Sequence, residues 1–260
     1  MAPVPSVKEL RVICKRQKAS GILLPLCDYL AFYVAKFFLY LPLTPNQITL
    51  TWIILKIVSA FFMITGDYTT MVIALLVFQL ASIIDGADGT VARYRKRFSL
   101  NGIYVDYIGH YFCNSLLFVT LAFGVYHQTE NWLSFIAAAI AVVSFLLTKA
   151  LTLNPMWYGN LEERKEVEKI IYDRDLALLR DQKTGVVRNW KKQIIILLFD
   201  FVQMNNPLNL MFWGVFLGYA GEILWIYAGI LFLEMSRKLF MQFWRIYRTE
   251  KNTLKKSELE

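Results

Sequence analysis

Three carboxylates and an imidazole, Asp85, Asp88, Asp106 and His110, stand in strongly apolar sequence. Asp85 and Asp88 are three residues apart, so a helix presents them on one face; Asp106 and His110 are four apart, with the same consequence. Ionised groups at membrane depth are costly and mark function. No cluster of basic side chains lies at that depth to balance the acids, so a bound divalent cation is the expected counter-charge. Hard cations take carboxylate oxygen, and a neutral imidazole nitrogen can also ligate. Small residues accompany the acids: Gly89 and Ala92 beside the first pair, and Gly102 one turn before Asp106. Lack of bulk lets a ligand approach the backbone, or lets two membrane helices pack closely. Arg93 closes the passage, either to contact phosphate or to pair with a carboxylate and fix the helix end.

The elements that must position these groups are membrane helices. The chain has 260 residues, 57% hydrophobic and only 18% charged, whereas soluble domains average nearer 25% charged. A crossing needs roughly 20 apolar residues. Six stretches qualify: 46–65, 70–92, 102–126, 131–152, 191–218 and 222–246, the fifth interrupted at Asn205–Asn206–Pro207. The three cysteines and two histidines have no zinc-like spacing, and nothing requires a disulfide. The N-terminal stretch has no secretory signal pattern.

Lys and Arg fix the orientation. The links 66–69, 127–130 and 219–221 hold none, whereas Arg93, Arg95, Lys96 and Arg97 follow the second span. The N-terminal tail, the link 153–190 and the C-terminal tail are also rich in basic residues. Both termini and the charged links are therefore expected in the cytoplasm. The apolar segment 22–42, with Asp28 and Lys36, is expected to lie at the interface, because a seventh crossing would put the basic N-terminal tail outside. The expected fold class is all-α: a polytopic membrane protein with six transmembrane helices, an N-terminal interfacial amphipathic helix and a cytoplasmic helical insert. A tail and interfacial helix occupy 1–45 and the transmembrane domain 46–260, with the helical link at 153–190 and a basic tail at 247–260. The net charge of +8 then points to anionic lipid headgroups rather than nucleic acid. Asp85, Asp88, Asp106 and His110 can all converge at the cytoplasmic end of the second and third spans.

Asp85, Asp88, Gly89, Ala92, Arg93, Gly102 and Asp106 stand at the spacing of the motif DxxDGxxAR, eight residues, GxxxD. This resembles the CDP-alcohol phosphotransferase family. Leu43–Thr44–Pro45–Asn46 with Thr49 resembles the TPN segment before that family's first span, although Thr44 and Pro45 also read simply as a helix start. The motif resemblance covers about residues 40–150.

The resemblance implies metal-dependent transfer of a substituted phosphate from a CDP-linked donor to an acceptor hydroxyl, with release of CMP, in phospholipid or related phosphodiester synthesis. It implies Mg²⁺ or Mn²⁺, two ions, on Asp85, Asp88, Asp106 and His110. It places CDP against Asp85, Asp88, Gly89, Ala92, Arg93, Gly102 and Asn46, and it implies a homodimer. The sequence departs from the family at one position: His110 stands where the family has a fourth Asp, implicated there in metal binding and as the base. His110 is then a base, a softer ligand favouring Mn²⁺, or a change that impairs turnover. The last leaves a second class open, a non-catalytic relative that binds nucleotide or lipid. A prenyltransferase would need a second aspartate cluster, and a transporter a pair of broken helices.

Three more polar residues sit at depth. Lys56 binds an anionic acceptor group or neutralises one of the acids; Asp200 and Glu234 pair with it or line the acceptor pocket. The link 153–190 carries apolar residues at helical spacing among many charges, as an amphipathic helix or helical pair ending at Gly185. The bland expectation for it is a solvated helix packed on the headgroups.

Overall fold

The computed structural model describes residues 4–14, 23–97, 99–153 and 209–257. Among these residues there are helices and no strand. They are α1 (Val7–Cys14), α2 (Leu23–Tyr40), α3 (Pro45–Met63), α4 (Tyr68–Arg95), α5 (Leu100–Thr129), α6 (Leu133–Leu153), α7 (Leu210–Phe216) and α8 (Ala220–Ser257). The link 153–190 beyond Leu153, and the fifth span with Asp200 and its Asn205–Asn206–Pro207 interruption, lie outside the described residues. Only α7, at the end of that span, is described.

Among the described residues, four helices are long and apolar enough to cross a membrane: Pro45–Met63, Tyr68–Arg95, Asn101–Thr129 and Leu133–Leu151. Their amphipathicity is inverted. On α3 the exposed stripe is Leu50, Ile54, Val58 and Phe61, while Thr49, Lys56 and Ser59 are buried. On α4 the exposed side chains include Ile73, Leu76 and Leu80, while Gln79, Ser82 and Thr90 are buried. Apolar groups outside and polar groups inside suit lipid as the surrounding solvent, where every polar group must find its partner within the protein.

Local sequence sets the ends of these helices. Thr44 caps α3 in a full capping box with Gln47, and Pro45 takes the first helical position. The turn into α4 uses Gly66 at φ +70°, and a Cβ there would meet His127 Cβ at 2.8 Å, so both conformation and the nearness of α5 require glycine. Asp67 then caps α4 by accepting from the Thr70 backbone and hydroxyl at 2.8 and 2.7 Å. These two bonds hold its carboxyl below the usual range. At the other end α4 stops at Lys96 in the left-handed region (φ 51°), and Ser99 caps α5 by accepting from Gly102 N at 2.9 Å. The short link between α4 and α5 thus turns the chain back with both motif halves facing each other.

α3 packs on α4 and α5, and α6 on α5 and α8, around a core that includes Trp52, Phe78, Phe118, Leu121 and Tyr227. α2 packs against α4, its Ala35 and Phe38 grouped with Ile48, Ala87 and Val91 near the end of α4. α1 is an addition to the expected layout. Ser6 and Glu9 form reciprocal caps (2.6 and 3.3 Å), and Leu10 and Cys14 pack with Phe32 and Tyr94. α8 also runs further than the sequence reading, to Ser257, because no Pro or Gly interrupts 247–257.

Arg95 performs a task that its place in a basic run conceals. Its guanidinium donates to the carbonyls of Leu43, of Leu41 at 2.9 Å and of Phe38 at 3.4 Å. These oxygens close α2 and the segment leading into α3. One side chain thereby ties the end of α4 to the start of α3. Arg95→Met is expected to cost ~2 kcal/mol, since bonds to a charged donor are worth more than neutral ones. In a thermal unfolding measurement in detergent this should appear as a fall in Tm of ~5 °C. An unchanged Tm would mean that Arg95 does not clamp these segments.

Candidate active site

α4 carries Asp85 and Asp88, α5 carries Asp106 and His110, and α3 crosses beside both. The His110 Nε2 atom lies 3.4 Å from Asp85 Oδ2 and 3.7 Å from Asp106 Oδ1. One ligand atom from each of Asp85, Asp106 and His110 falls within 4.8 Å of the others. Asp106 Oδ1 and His110 Nδ1 are both buried without a hydrogen-bond partner. Such a set of carboxylate oxygens and an imidazole nitrogen, short of donors, fits a divalent cation. These three residues would hold it.

Asp88 is placed differently. One of its oxygens, Oδ2, accepts from Thr49 Oγ1 at 2.7 Å and from Trp52 Nε1 at 3.1 Å. Two neutral donors on α3 therefore fix this buried carboxylate. The Trp52 ring also lies over His110, with centroids 4.9 Å apart and planes at 32°. Gly109 makes this approach possible: a Cβ there would sit 2.9 Å from Trp52 Cη2 and 2.6 Å from Ile53 Cδ1.

Beside the cluster is a cavity of about 290 Å³ lined from α3, α4, the α4–α5 link and α5. Of the expected nucleotide residues, Asn46, Asp88, Gly89, Ala92, Arg93 and Gly102 all line it, and so does Asp106. Asp85 does not line it and joins the site through His110. The volume is at the small end of ligand pockets.

The two motif glycines differ. A Cβ on Gly89 would meet only the Arg93 guanidinium, at 3.4 Å and beyond. Helix packing thus gives no reason for Gly89, whereas an open cavity wall does. A Cβ on Gly102 would collide with Asn46 Oδ1 and lie 2.8 Å from Ser99 Oγ. Gly102 therefore makes room for Asn46, whose Nδ2 donates to Ser99 Oγ at 3.1 Å. The Arg93 guanidinium reaches Thr90 Oγ1 at 3.5 Å and faces the cavity.

The sequence placed Thr49 only in the segment resembling the TPN motif and Arg97 only in a basic run, and it singled out neither Trp52 nor Ser99 nor Ile103. The signal was present on α3: Asn46, Thr49, Trp52 and Lys56 stand at intervals of three, three and four, one polar-tipped stripe on an otherwise apolar helix. Of the residues expected in an acceptor pocket, Lys56 is fully buried, one turn beyond Trp52, with its Nζ over the Trp52 and Phe78 rings at 4.6 and 5.2 Å. Glu234 pairs with Lys238 on its own helix, at 3.2 Å. Asp200 is outside the described residues.

The family model described as CDP-alcohol phosphatidyltransferase matches residues 42–169, which hold α3 to α6 and every residue of the cluster and the cavity. Over 88 residues the chain is 36% identical to a protein of Thermococcus kodakarensis named as a bifunctional IPC transferase and DIPP synthase. That stretch is 33% of this chain and 19% of the relative, so the chain spans about a fifth of the relative's length.

Proposed function

For a chain that carries a CDP-alcohol phosphatidyltransferase domain over residues 42–169, we propose that the activity is transfer of a substituted phosphate from a CDP-linked alcohol to an acceptor hydroxyl. The observation that carries this reading is the juxtaposition of two features. The Asp85–Asp106–His110 cluster adjoins a cavity whose wall is built from the motif's small residues and two arginines, Arg93 and Arg97. A divalent ion, Mg²⁺ or Mn²⁺, supplies charge neutralisation of the diphosphate and polarisation of its β-phosphorus.

The protein's own groups do the rest. Gly89 and Ala92 leave space for the nucleotide along α4, and Asn46, held by Ser99, offers a polar wall opposite. Arg93 and Arg97 bring positive charge to the phosphates. The acceptor oxygen attacks the β-phosphorus, a new P–O bond forms, and the bridging bond to the α-phosphate breaks with CMP as leaving group. Asp106, which lines the cavity and is about two-fifths exposed, is the better supported acceptor for the hydroxyl proton. His110 does not line the cavity. Its Nε2 is turned to Asp85 and Asp106, which supports a ligating role; as a base it would have to swing towards the acceptor.

The donor is CDP-diacylglycerol with a small polar acceptor, or a CDP-linked small alcohol with a lipid or sugar acceptor. Membrane lipids surround the protein, six spans cross, and α2 lies along the interface. The site faces the cytoplasm, because Arg93, Arg95, Lys96 and Arg97 adjoin it whereas the link 66–69 has no basic residue. Two chains associate as a dimer.

The test is CMP release by the protein in nanodiscs with each donor class, a mixed acceptor pool and Mg²⁺ or Mn²⁺. Metal-dependent CMP that disappears in Asp106→Ala is the expected result, and His110→Ala separates ligand from base by its dependence on metal concentration. Donor binding without CMP release from any donor would replace this reading by the non-catalytic one.

A further inference from the structure

The structure assigns a second cation to the site, and it belongs to the protein: we propose that the resting site takes one divalent ion, on Asp85, Asp106 and His110, with the Lys56 ammonium standing in place of another. The inference deepens the transferase reading on its metal and rests on it only there.

Lys56 is fully buried, and its Nζ has no hydrogen-bond partner. Its side chain runs back along α3 towards the site end, because Nζ sits over the ring of Trp52, one turn nearer the N-terminus. That same ring covers His110 and donates to Asp88. A lone ammonium in a membrane interior is expensive unless negative charge lies near it. The acids close enough to act on its charge are Asp85 and Asp88 from α4 and Asp106 from α5. Three carboxylates are balanced by one divalent ion and one ammonium.

The ligands point the same way. Among the described residues one group of three converges within 4.8 Å, enough for one ion. Asp88 is not in that group, and one of its oxygens is committed to Thr49 and Trp52. His110 adds a nitrogen without charge. A second divalent ion would therefore find one half-committed carboxylate and a nearby ammonium to repel it.

Binding, measured without donor, tests this separately from turnover. The full chain in nanodiscs is titrated with Mn²⁺, with bound ion read by electron paramagnetic resonance and by elemental analysis after desalting. The expected result is one ion per chain with the spectrum of an isolated Mn²⁺. Two ions per chain with a spin-coupled spectrum would overturn the proposal. Lys56→Met is expected to tighten Mn²⁺ binding about tenfold, and Lys56→Arg to leave it unchanged; equal affinity in all three proteins would remove Lys56 from the site. Should Lys56→Met fail to fold, as judged by size exclusion, His110→Asp is titrated instead. With Lys56 retained it is expected to bind one ion more tightly, and a second ion per chain would again overturn the proposal. CMP release is not read in any of these arms, so a two-ion result leaves the transferase reading intact.

Discussion

Asp85→Asn is expected to reduce kcat/KM for CMP release by ~10³-fold, about 4 kcal/mol of transition-state stabilisation, the scale expected when a metal's grip on a phosphoryl group is lost. The substitution is nearly isosteric and leaves α4 intact. It removes one negative charge from the converging group and replaces an oxygen facing His110 Nε2 at 3.4 Å by an amide that ligates poorly. Asp88→Asn should cost less, about 10- to 100-fold. Its amide oxygen can still accept from Thr49 and Trp52, and Asp88 is not one of the three converging residues. Equal losses in both variants would mean that Asp88 ligates as fully as Asp85, and the division between a ligating trio and a tethered fourth acid would fall. Both variants should retain the elution profile of the parent, because neither carboxylate supports core packing.

The carboxylate cluster was legible because helical spacing is rigid: residues three and four apart must share a face, whatever else surrounds them. The four described spans were legible for a similar reason, since length and hydropathy alone define them. What failed to show was anything that depends on which side chain lies across a helix pair. Trp52 reads as core in any apolar helix, and only contact with Asp88 and His110 gives it another task. Arg95 reads as one more positive charge at a membrane boundary until its three carbonyl partners are seen. The role of Gly89 was undecidable from sequence, because packing and ligand approach both want a missing Cβ. The open space beside it favours the second.

Trp52→Phe is expected to lose about 10- to 100-fold in kcat/KM, as much as Asp88→Asn, and carried by the metal rather than by the donor. Three interactions meet on this one indole: the Nε1 donor to Asp88 at 3.1 Å, the ring over His110, and the ring face under the Lys56 ammonium. Phenylalanine keeps a ring for the last two at reduced area and deletes the first. Outer partners that hold metal-binding groups typically matter by one to two orders of magnitude. The distinguishing measurement is the metal dependence of CMP release. The midpoint should move to higher Mn²⁺ or Mg²⁺ while the rate at saturating metal recovers most of its value. If the midpoint stays and only the saturated rate falls, Trp52 acts on the reacting groups themselves, and its role as a positioning residue is wrong. Thr49→Val should shift the same midpoint more weakly, because Trp52 still holds Asp88 Oδ2. The two substitutions together should exceed the sum of their separate effects, since only then does the buried Asp88 oxygen lose both of its donors.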